Sequence, residues 1–348
     1  MRFRRPGSVQ QDLFGQLDHA RKLAERTTPL DKLAAAVDFE MFRERLVEHL
    51  GYKDREDKGG NAPFDPVFMF KIAVMQKYYA LSEEQTEEQI LDRFSFMRFL
   101  GVAPGDAIPD KNTIWDFKER LGAGGVAALF ADLDTALAER GIHGKEGVTV
   151  DASFVEVPRQ RNRREDNAAI KRGETPEGWE GNPQMLCQKD LDARWAKKHN
   201  EVHYGYKNHV KADVGTKLVR DYRVSAASEH DSQCFEDLIE EGDGTVYADS
   251  AYRSRASMAM LRAKRVKARI CRKASKGRPL SAAQKRANRE KSRLRARGEH
   301  VFATQAWQMK ADRISTIGIV RATRGIGLGN LVYNLLRLAQ LNLRVGWA

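Results

Sequence analysis

A chain of 348 residues is too long for one minimal domain and points to two, or to one core carrying a large insertion. Hydrophobic residues make up 41% of it, enough to build a core, which excludes a collagen-like or wholly disordered chain. Lysine and arginine number 60 against 48 acidic residues, and the resulting formal charge of +12 favours a polyanionic partner, nucleic acid or an anionic membrane surface.

Up to about Gly144 the spacing of apolar residues predicts helices. Val9 to Glu25 forms the first, stopped by Thr27-Thr28-Pro29. Asp38 caps a second, with Phe39, Phe42, Leu46 and Leu50 on one face, and Lys53 to Asn61 is a polar loop. Asp65-Pro66 then opens a strongly apolar helix with Phe68, Ile72, Met75 and Tyr79 on a shared stripe. Ser82 followed by Gln85 is a capping-box pattern for a helix to about Arg93. Asn112 to Leu121 and Gly125 to Arg140 complete the helical region.

Beyond it the pattern becomes β-rich. Gly147 to Asp151, Tyr204 to Val210 and Lys217 to Ser225 read as strands, the last two joined by a hairpin turn at Val214-Gly215-Thr216. Ser228 to Glu241 reads as helix, Thr245 to Ala248 as strand, Tyr252 to Lys264 as helix and Val266 to Cys271 as strand. Between the first two strands, residues 159–200 are polar and rich in Arg, Glu, Asn, Gly and Pro, as expected of an insertion. Gly325-Ile-Gly-Leu-Gly329 reads as a loop, followed by a last helix to Val345 with Leu331, Leu335, Leu338 and Leu341 along one side. The expected organisation is a helical region over 1–144, an α/β domain over 145–310 with its insertion at 159–200, and a C-terminal helical segment over 311–348.

Cys187, Cys234 and Cys271 lie far apart without a CxxC pair, so neither a disulfide framework nor a cysteine-rich zinc site is expected. No apolar run approaches the roughly 18–20 residues of a membrane span, and the first residues lack an apolar h-region. A soluble, cytoplasmic protein without a membrane partner is the expectation. The absence of a Walker-type GxxxxGK[ST] motif gives no support to ATP-driven action.

The positive charge is concentrated. Ala251 to His300 holds 18 Lys/Arg and two acids, Glu290 and Glu299, so this window carries more than the net charge of the whole chain. A solvated face is the ordinary account of such a run. Within it, however, Ser281 to Arg297 reads as a helix, and a basic helix tied to a globular body suits phosphate contacts. Arg253, Arg289, Lys291, Arg293, Arg295 and Arg297 are the candidates, with Lys207 on a polar strand face beside His209. Trp115, Trp179 and Trp195 are more readily explained by packing than by stacking on a base.

Three acids stand out: Asp151 at the end of the first strand, Asp249 directly after another, and Glu299 in the basic helix. Each has a structural explanation of its own: a strand end, a helix N-cap, and an ion pair with Arg295 one turn earlier. Brought together, they would repel unless cations neutralised them, and oxygen ligands select Mg2+ or Mn2+. Two such ions activate a water or a 3′-hydroxyl and stabilise the leaving oxygen of a phosphodiester. His230-Asp231 is a weaker metal candidate, since Asp231 is equally well explained as an N-cap.

The segments VDASFVEVP, YGYKNHVKADVGTKLVRDYRVSAASEHDSQ, YADSAYRS and KSRLRARGEHVF together resemble the DDE transposases of bacterial insertion sequences, specifically the IS-five group. The helical half, FKIAVMQKYYALSEEQTEEQILDRFSFMRFLGV and IPDKNTIWDFKERL, is similar to the same group, and the resemblance runs in order from roughly Asp38 to Phe302. It implies an α/β, RNase H-like catalytic domain preceded by an all-helical N-terminal domain that binds transposon ends or assembles the protein. It also implies a catalytic and metal-binding triad of Asp151, Asp249 and Glu299 holding two Mg2+ or Mn2+ ions. Arg295, four residues before the glutamate, belongs to the family's motif, whereas Ser292 and Ala306 replace a tyrosine and a lysine often found there. The implied partner is double-stranded DNA, both transposon ends and target, with a homo-oligomer assembled on it and the protein associated with the nucleoid. A DNA-binding protein that no longer cuts, and a metal-dependent nuclease that does not join strands, are the competing expectations.

Overall fold

The computed structural model describes residues 21–22, 25–52, 62–144, 146–198, 200–275 and 277–341. The helix expected over Val9 to Glu25 and the loop over Lys53 to Asn61 lie largely or wholly outside these residues, as does the stretch from 342 to Val345.

Short side chains that accept hydrogen bonds set where the N-terminal helices begin. Helix α1 (Pro29–Ala36), not anticipated from the apolar spacing, starts at Thr28, whose backbone N–H donates to Asp31 at 2.7 Å in a capping box. Asp38 caps a single 3₁₀ turn over Phe39–Phe42 that runs directly into α2 (Arg43–His49). Asp65 opens α3 (Pro66–Tyr79), its Oδ1 accepting from the backbone N–H groups of Val67 and Phe68 at 2.9 Å. Ten of the 14 residues of α3 are buried, because neighbours pack around most of its circumference. Ser82 and Gln85 exchange the two bonds of the anticipated capping box at the head of α4 (Glu83–Asp92). Helix α5 (Phe94–Leu100) follows.

The two helices expected next are continuous as α6 (Lys111–Glu139), with a break at Gly122, whose φ of 59° and ψ of −173° are not helical. By length and mean hydropathy α6 could cross a membrane, contrary to the sequence expectation. Its apolar positions, among them Ile114, Phe117, Leu121, Leu129, Leu133 and Leu137, are buried in the protein's own core.

The sheet is built from β1 (Val148–Glu156), β2 (Arg194–Lys198), β3 (Glu201–Asp213), β4 (Val219–Ala226), β5 (Thr245–Tyr247) and β6 (Lys267–Ala268). β3 is antiparallel to β1, from Val148↔Asp213 to Glu156↔Gly205, and antiparallel to β4. β5 runs parallel to β1, and β6 parallel to β5. The path across the sheet is therefore β4-β3-β1-β5-β6, with β2 paired to the first residues of β3. At the β3–β4 hairpin Asp213 Oδ1 accepts from the Thr216 backbone at 2.6 Å and its hydroxyl at 2.8 Å, which ties the turn shut.

The polar insertion carries α7 (Arg164–Arg172), α8 (Pro183–Leu186) and strand β2. Of the helix expected over Ser228 to Glu241, only α9 (Phe235–Leu238) is α-helical. Upstream, the His230 ring bonds to the Ser232 hydroxyl and backbone, a local alternative to helix formation. Next come α10 (Arg255–Ala263), α11 (Ala282–Met309), headed by a Ser281–Gln284 capping box, and α12 (Ile319–Gln340). Gly325 to Gly329 lie inside α12, not in a loop before it. They permit close approach: a Cβ at Gly327 would stand 2.3 Å from the Tyr222 hydroxyl, and one at Gly329 would stand 3.2 Å from Lys77 Cε.

Helix α12 lies where the helical region meets the sheet, packed on α6, β4, α1 and α3. One apolar cluster runs from Leu33, Phe42, Phe70 and Leu133 of the helical region through Val210 and Val219 of the sheet to Leu331 and Leu335 of α12. A second cluster, with Val148, Val150, Phe235, Val246, Tyr252 and Leu261, fills the space under α9 and α10.

Candidate active site

Alternation along β1 decides which way Asp151 points. Val148 and Val150 bury into the second cluster, so Thr149 and Asp151 face the other side of the sheet, which α11 crosses. The strand runs on to Glu156, so Asp151 sits within it and not at its end. The crossing is close because residue 298 is a glycine: a Cβ there would stand 2.6 Å from Thr149 Cγ2. Glu299 is the next residue on the helix, and Arg295 lies one turn earlier.

Arg295 links the two acids. Its Nη1 donates to Asp151 Oδ2 at 2.7 Å and its Nη2 to Glu299 Oε1 at 2.8 Å. The guanidinium and the Asp151 carboxylate are largely buried, whereas Glu299 is 55% exposed. Asp249 arrives from the other neighbour of β1. β5 pairs with β1 as Val148↔Val246 and Thr149↔Tyr247 and ends two residues before Asp249, whose charge acts on Asp151. Asp249 also caps the 3₁₀ turn Ser250–Tyr252, its Oδ1 accepting from the Ala251 N–H at 2.7 Å. The expected site and the expected N-cap are thus the same residue.

Burial drives the pKa of Asp151 above the ordinary carboxylate value; the Ala152 N–H, at 2.9 Å, and the Arg295 guanidinium oppose it, and the Asp249 charge pushes it up further. Tyr252, not among the candidates from sequence, has a buried hydroxyl with no hydrogen-bond partner. Its pKa is raised by burial and then by the charges of Asp231, Asp151 and Asp249. Its only signal was its place three residues after Asp249 in the YADSAY segment.

The oxygen donors suit a hard divalent cation. As the side chains stand, no three His, Cys, Asp or Glu groups among the described residues are gathered closely enough to hold one ion, and the Arg295 guanidinium supplies positive charge between Asp151 and Glu299. The chemistry of the set fits such an ion, with Arg295 in the position of a countercharge.

Residues 142–335, more than half of the chain, match the family described as Transposase DDE domain. The chain belongs to the DDE transposase family. Residues 18–120 match a second family, described as Transposase domain (DUF772), and both are domains of transposases. Among solved structures, the chain is similar to the cryo-EM structure of the piggyBac transposase synaptic complex with hairpin DNA, with a TM-score of 0.42 and 11% identity, covering 94% of this chain and 79% of that one. The protein is thus a DNA transposase, an enzyme of a family that generally uses divalent metal ions.

The basic residues of the transposase differ in how freely they meet solvent. Arg289 and Arg293 are exposed on α11, at the four-residue spacing that puts them on one face with Arg297. Arg297 donates to Glu146 at 2.8 Å and to the Val214 carbonyl at 3.1 Å. Lys291 and Arg253 both donate to the Ile270 carbonyl, at 3.0 and 3.4 Å, and burial lowers the pKa of Lys291. Lys207, expected to contact DNA, has its ammonium turned into the protein. It is 9% exposed, and its ammonium is held by Asp231 Oδ1 at 2.7 Å and the Glu229 carbonyl at 2.5 Å. That pairing also accounts for Asp231, the acid of the candidate His-Asp metal pair. His209, beside it on β3, bonds to the Ser225 hydroxyl at 2.8 Å, and burial drives its pKa down to about 4, so it is neutral at physiological pH. Trp179 is buried, while Trp115 and Trp195 are exposed.

Proposed function

We propose that this transposase is an RNase H-like enzyme of the insertion-sequence, IS-five type, which cuts the phosphodiester at its transposon ends and transfers the freed 3′-hydroxyl into target DNA. Asp151, Asp249 and Glu299 are its catalytic, metal-holding acids. The observation that carries the reading is the Arg295 guanidinium bonded at once to Asp151 and Glu299, acids 148 residues apart in sequence, and the Asp249 charge acting on Asp151 supports it. The strand order β4-β3-β1-β5-β6, antiparallel on one side of β1 and parallel on the other, supports the fold assignment.

The three acids would hold two Mg2+ or Mn2+ ions, which when bound supply activation of the attacking hydroxyl and charge stabilisation of the leaving oxygen. The chain's own residues supply position. Asp151 is fixed by the central strand and by the N–H of Ala152, Asp249 by its capping bond, and Glu299 by the glycine contact of α11 with β1. Arg295, a planar donor already aimed between two anions, offers its fork to a DNA phosphate once released from the carboxylates. Arg289 and Arg293, exposed on the face of α11 that also carries Arg297, suit backbone contacts. The helical region, residues 1–144, recognises the ends or joins protomers, since two ends must be brought together; the acting form is then a homo-oligomer on double-stranded DNA.

The test is incubation of the protein and its Asp249→Ala variant with duplexes carrying the DNA that flanks the gene, in Mg2+. Cleavage and strand joining by the parent, lost in a variant that still binds, is the expected result. Binding without cutting by either protein would show a DNA-binding protein that has lost catalysis. Cleavage without joined products would show a nuclease.

A further inference from the structure

At the C-terminal end of α11, ten residues and about 15 Å along the helix from Glu299, lies a cavity of about 510 Å³ between α3, α4, α6 and α12. Six cations line it: Lys77, Lys118, Lys310, Arg313, Arg321 and Arg324. Two carboxylates answer them. Glu83 pairs with Lys118, and Glu119 takes Arg321 at 2.9 Å and Arg324 at 2.6 Å. Lys77, Lys310 and Arg313 have no acid partner among the described residues.

Lys77 is the telling residue. It reaches the cavity from the last turn of α3, packed against Gly329 of α12, where burial and the charge of Lys118 lower its pKa to about 8. Next to it Gln76, 5% exposed, accepts from the Lys118 ammonium on its Oε1 at 2.8 Å and leaves its Nε2 buried without a partner. The Thr316 hydroxyl, from the segment before α12, is buried and unpartnered and its residue lines the same cavity. Orphaned donors are costly in a folded protein. Here an uncompensated ammonium, an amide N–H and a hydroxyl all line one space. Leu81, Leu121 and Leu328 supply apolar wall.

We propose that this cavity binds the phosphate group of a nucleotide, the cations and orphaned donors taking the phosphate oxygens and the leucine wall taking the sugar or base. The volume exceeds that needed by a bare phosphate. The ligand is a free nucleotide or the terminal nucleotide of a DNA strand, since both present the same chemistry. The site stands apart from the three acids and does not depend on their role.

Calorimetric titrations of the full chain with deoxyadenosine, dAMP, inorganic phosphate and a 5′-phosphorylated trinucleotide test it, with Lys77→Met, Arg313→Gln and Asp249→Ala alongside. The expected result is binding of dAMP or the phosphorylated trinucleotide, weakened at least tenfold in Lys77→Met and severalfold in Arg313→Gln, and unchanged in Asp249→Ala. Tighter binding of dAMP identifies a free nucleotide, and tighter binding of the trinucleotide a strand end. Arg313 is exposed, so its variant keeps the readout if Lys77→Met fails to fold. Equal affinity for deoxyadenosine and dAMP, no phosphate-dependent binding, or full affinity in both cavity variants overturns the proposal.

Discussion

Gly298→Ala sets two effects of opposite sign against each other. In a helix interior the change from glycine to alanine is worth up to about 1 kcal/mol in favour of folding. The new methyl would lie 2.6 Å from Thr149 Cγ2 and 3.3 Å from its Oγ1. Carbon atoms pack at about 3.5–4.0 Å, so the helix or the strand must give by about 1 Å, and overpacking on that scale costs about 1–3 kcal/mol. The expected net effect is a loss of about 1 kcal/mol, read as a lower urea midpoint at unchanged slope. Thr149→Ser removes the methyl that clashes, so in that background Gly298→Ala is expected to stabilise by a few tenths of a kcal/mol or more, a coupling of about 1–2 kcal/mol across the cycle. Function follows the same contact. A helix held off β1 moves Arg295 and Glu299 relative to Asp151, so end cleavage should fall more in the single variant than in the double. Equal effects of Gly298→Ala on the midpoint in both backgrounds would show that the close approach to Thr149 is not what the glycine provides.

Other outcomes rest on separate contacts. Asn334 is fully buried and bonds both the N–H and the carbonyl of Val219, at 2.8 and 2.7 Å, so Asn334→Ala should cost about 2–4 kcal/mol of unfolding free energy; a loss below about 0.5 would be inconsistent with those bonds. Arg289→Gln and Arg293→Gln should each leave stability within about 0.5 kcal/mol and lower the slope of log affinity for DNA against log salt by about 1, and an unchanged slope argues against phosphate contact. Lys207→Gln should do the reverse, destabilising by about 2–4 kcal/mol through an unpaired Asp231 while leaving the salt slope alone. For Lys77, a folded pKa of about 8 against an ordinary 10.5 means the unfolded chain binds more protons between those values, so stability rises with pH across that window, by at most about 3 kcal/mol. Urea midpoints at pH 7.5 and 10 should show that rise in the parent, and a smaller one in Lys77→Met.

What was legible in the sequence divides by the range of the interaction. Caps at Asp65 and Ser82, the hairpin at residues 214–216 and the strands around Asp151 and Asp249 are decided within a few residues, and the expected elements are there. The errors came where distant packing overrides local signals. Ser228 to Glu241 has helical apolar spacing, but its start is drawn into turns and its Asp231 is claimed by a lysine 24 residues away. Gly325 to Gly329 looks like a loop because glycine disfavours helix, yet it lies inside α12, where a Cβ at Gly327 would stand 2.3 Å from the Tyr222 hydroxyl. Lys207 reads as surface because strand alternation cannot say whether a polar face meets water or an acid of the protein itself.

The same division runs through the site. Asp249 could be named from a strand followed by a cap, and Glu299 from a carboxylate in a basic helix. What the fold adds is a parallel pairing of β1 with β5, the strand that leads to Asp249, and a glycine beside Glu299 packed against a threonine 149 positions earlier. Neither is visible in any short window. Arg295 carries the lesson furthest: four residues before Glu299, it reads as an ordinary one-turn ion pair, and only the fold gives its second nitrogen to Asp151. A local pair on an exposed helix is worth a few tenths of a kcal/mol. Held between two acids and largely buried, the same guanidinium becomes the charge on which the closeness of Asp151 and Glu299 rests. Replacing it with leucine should therefore separate those carboxylates instead of merely removing a surface contact.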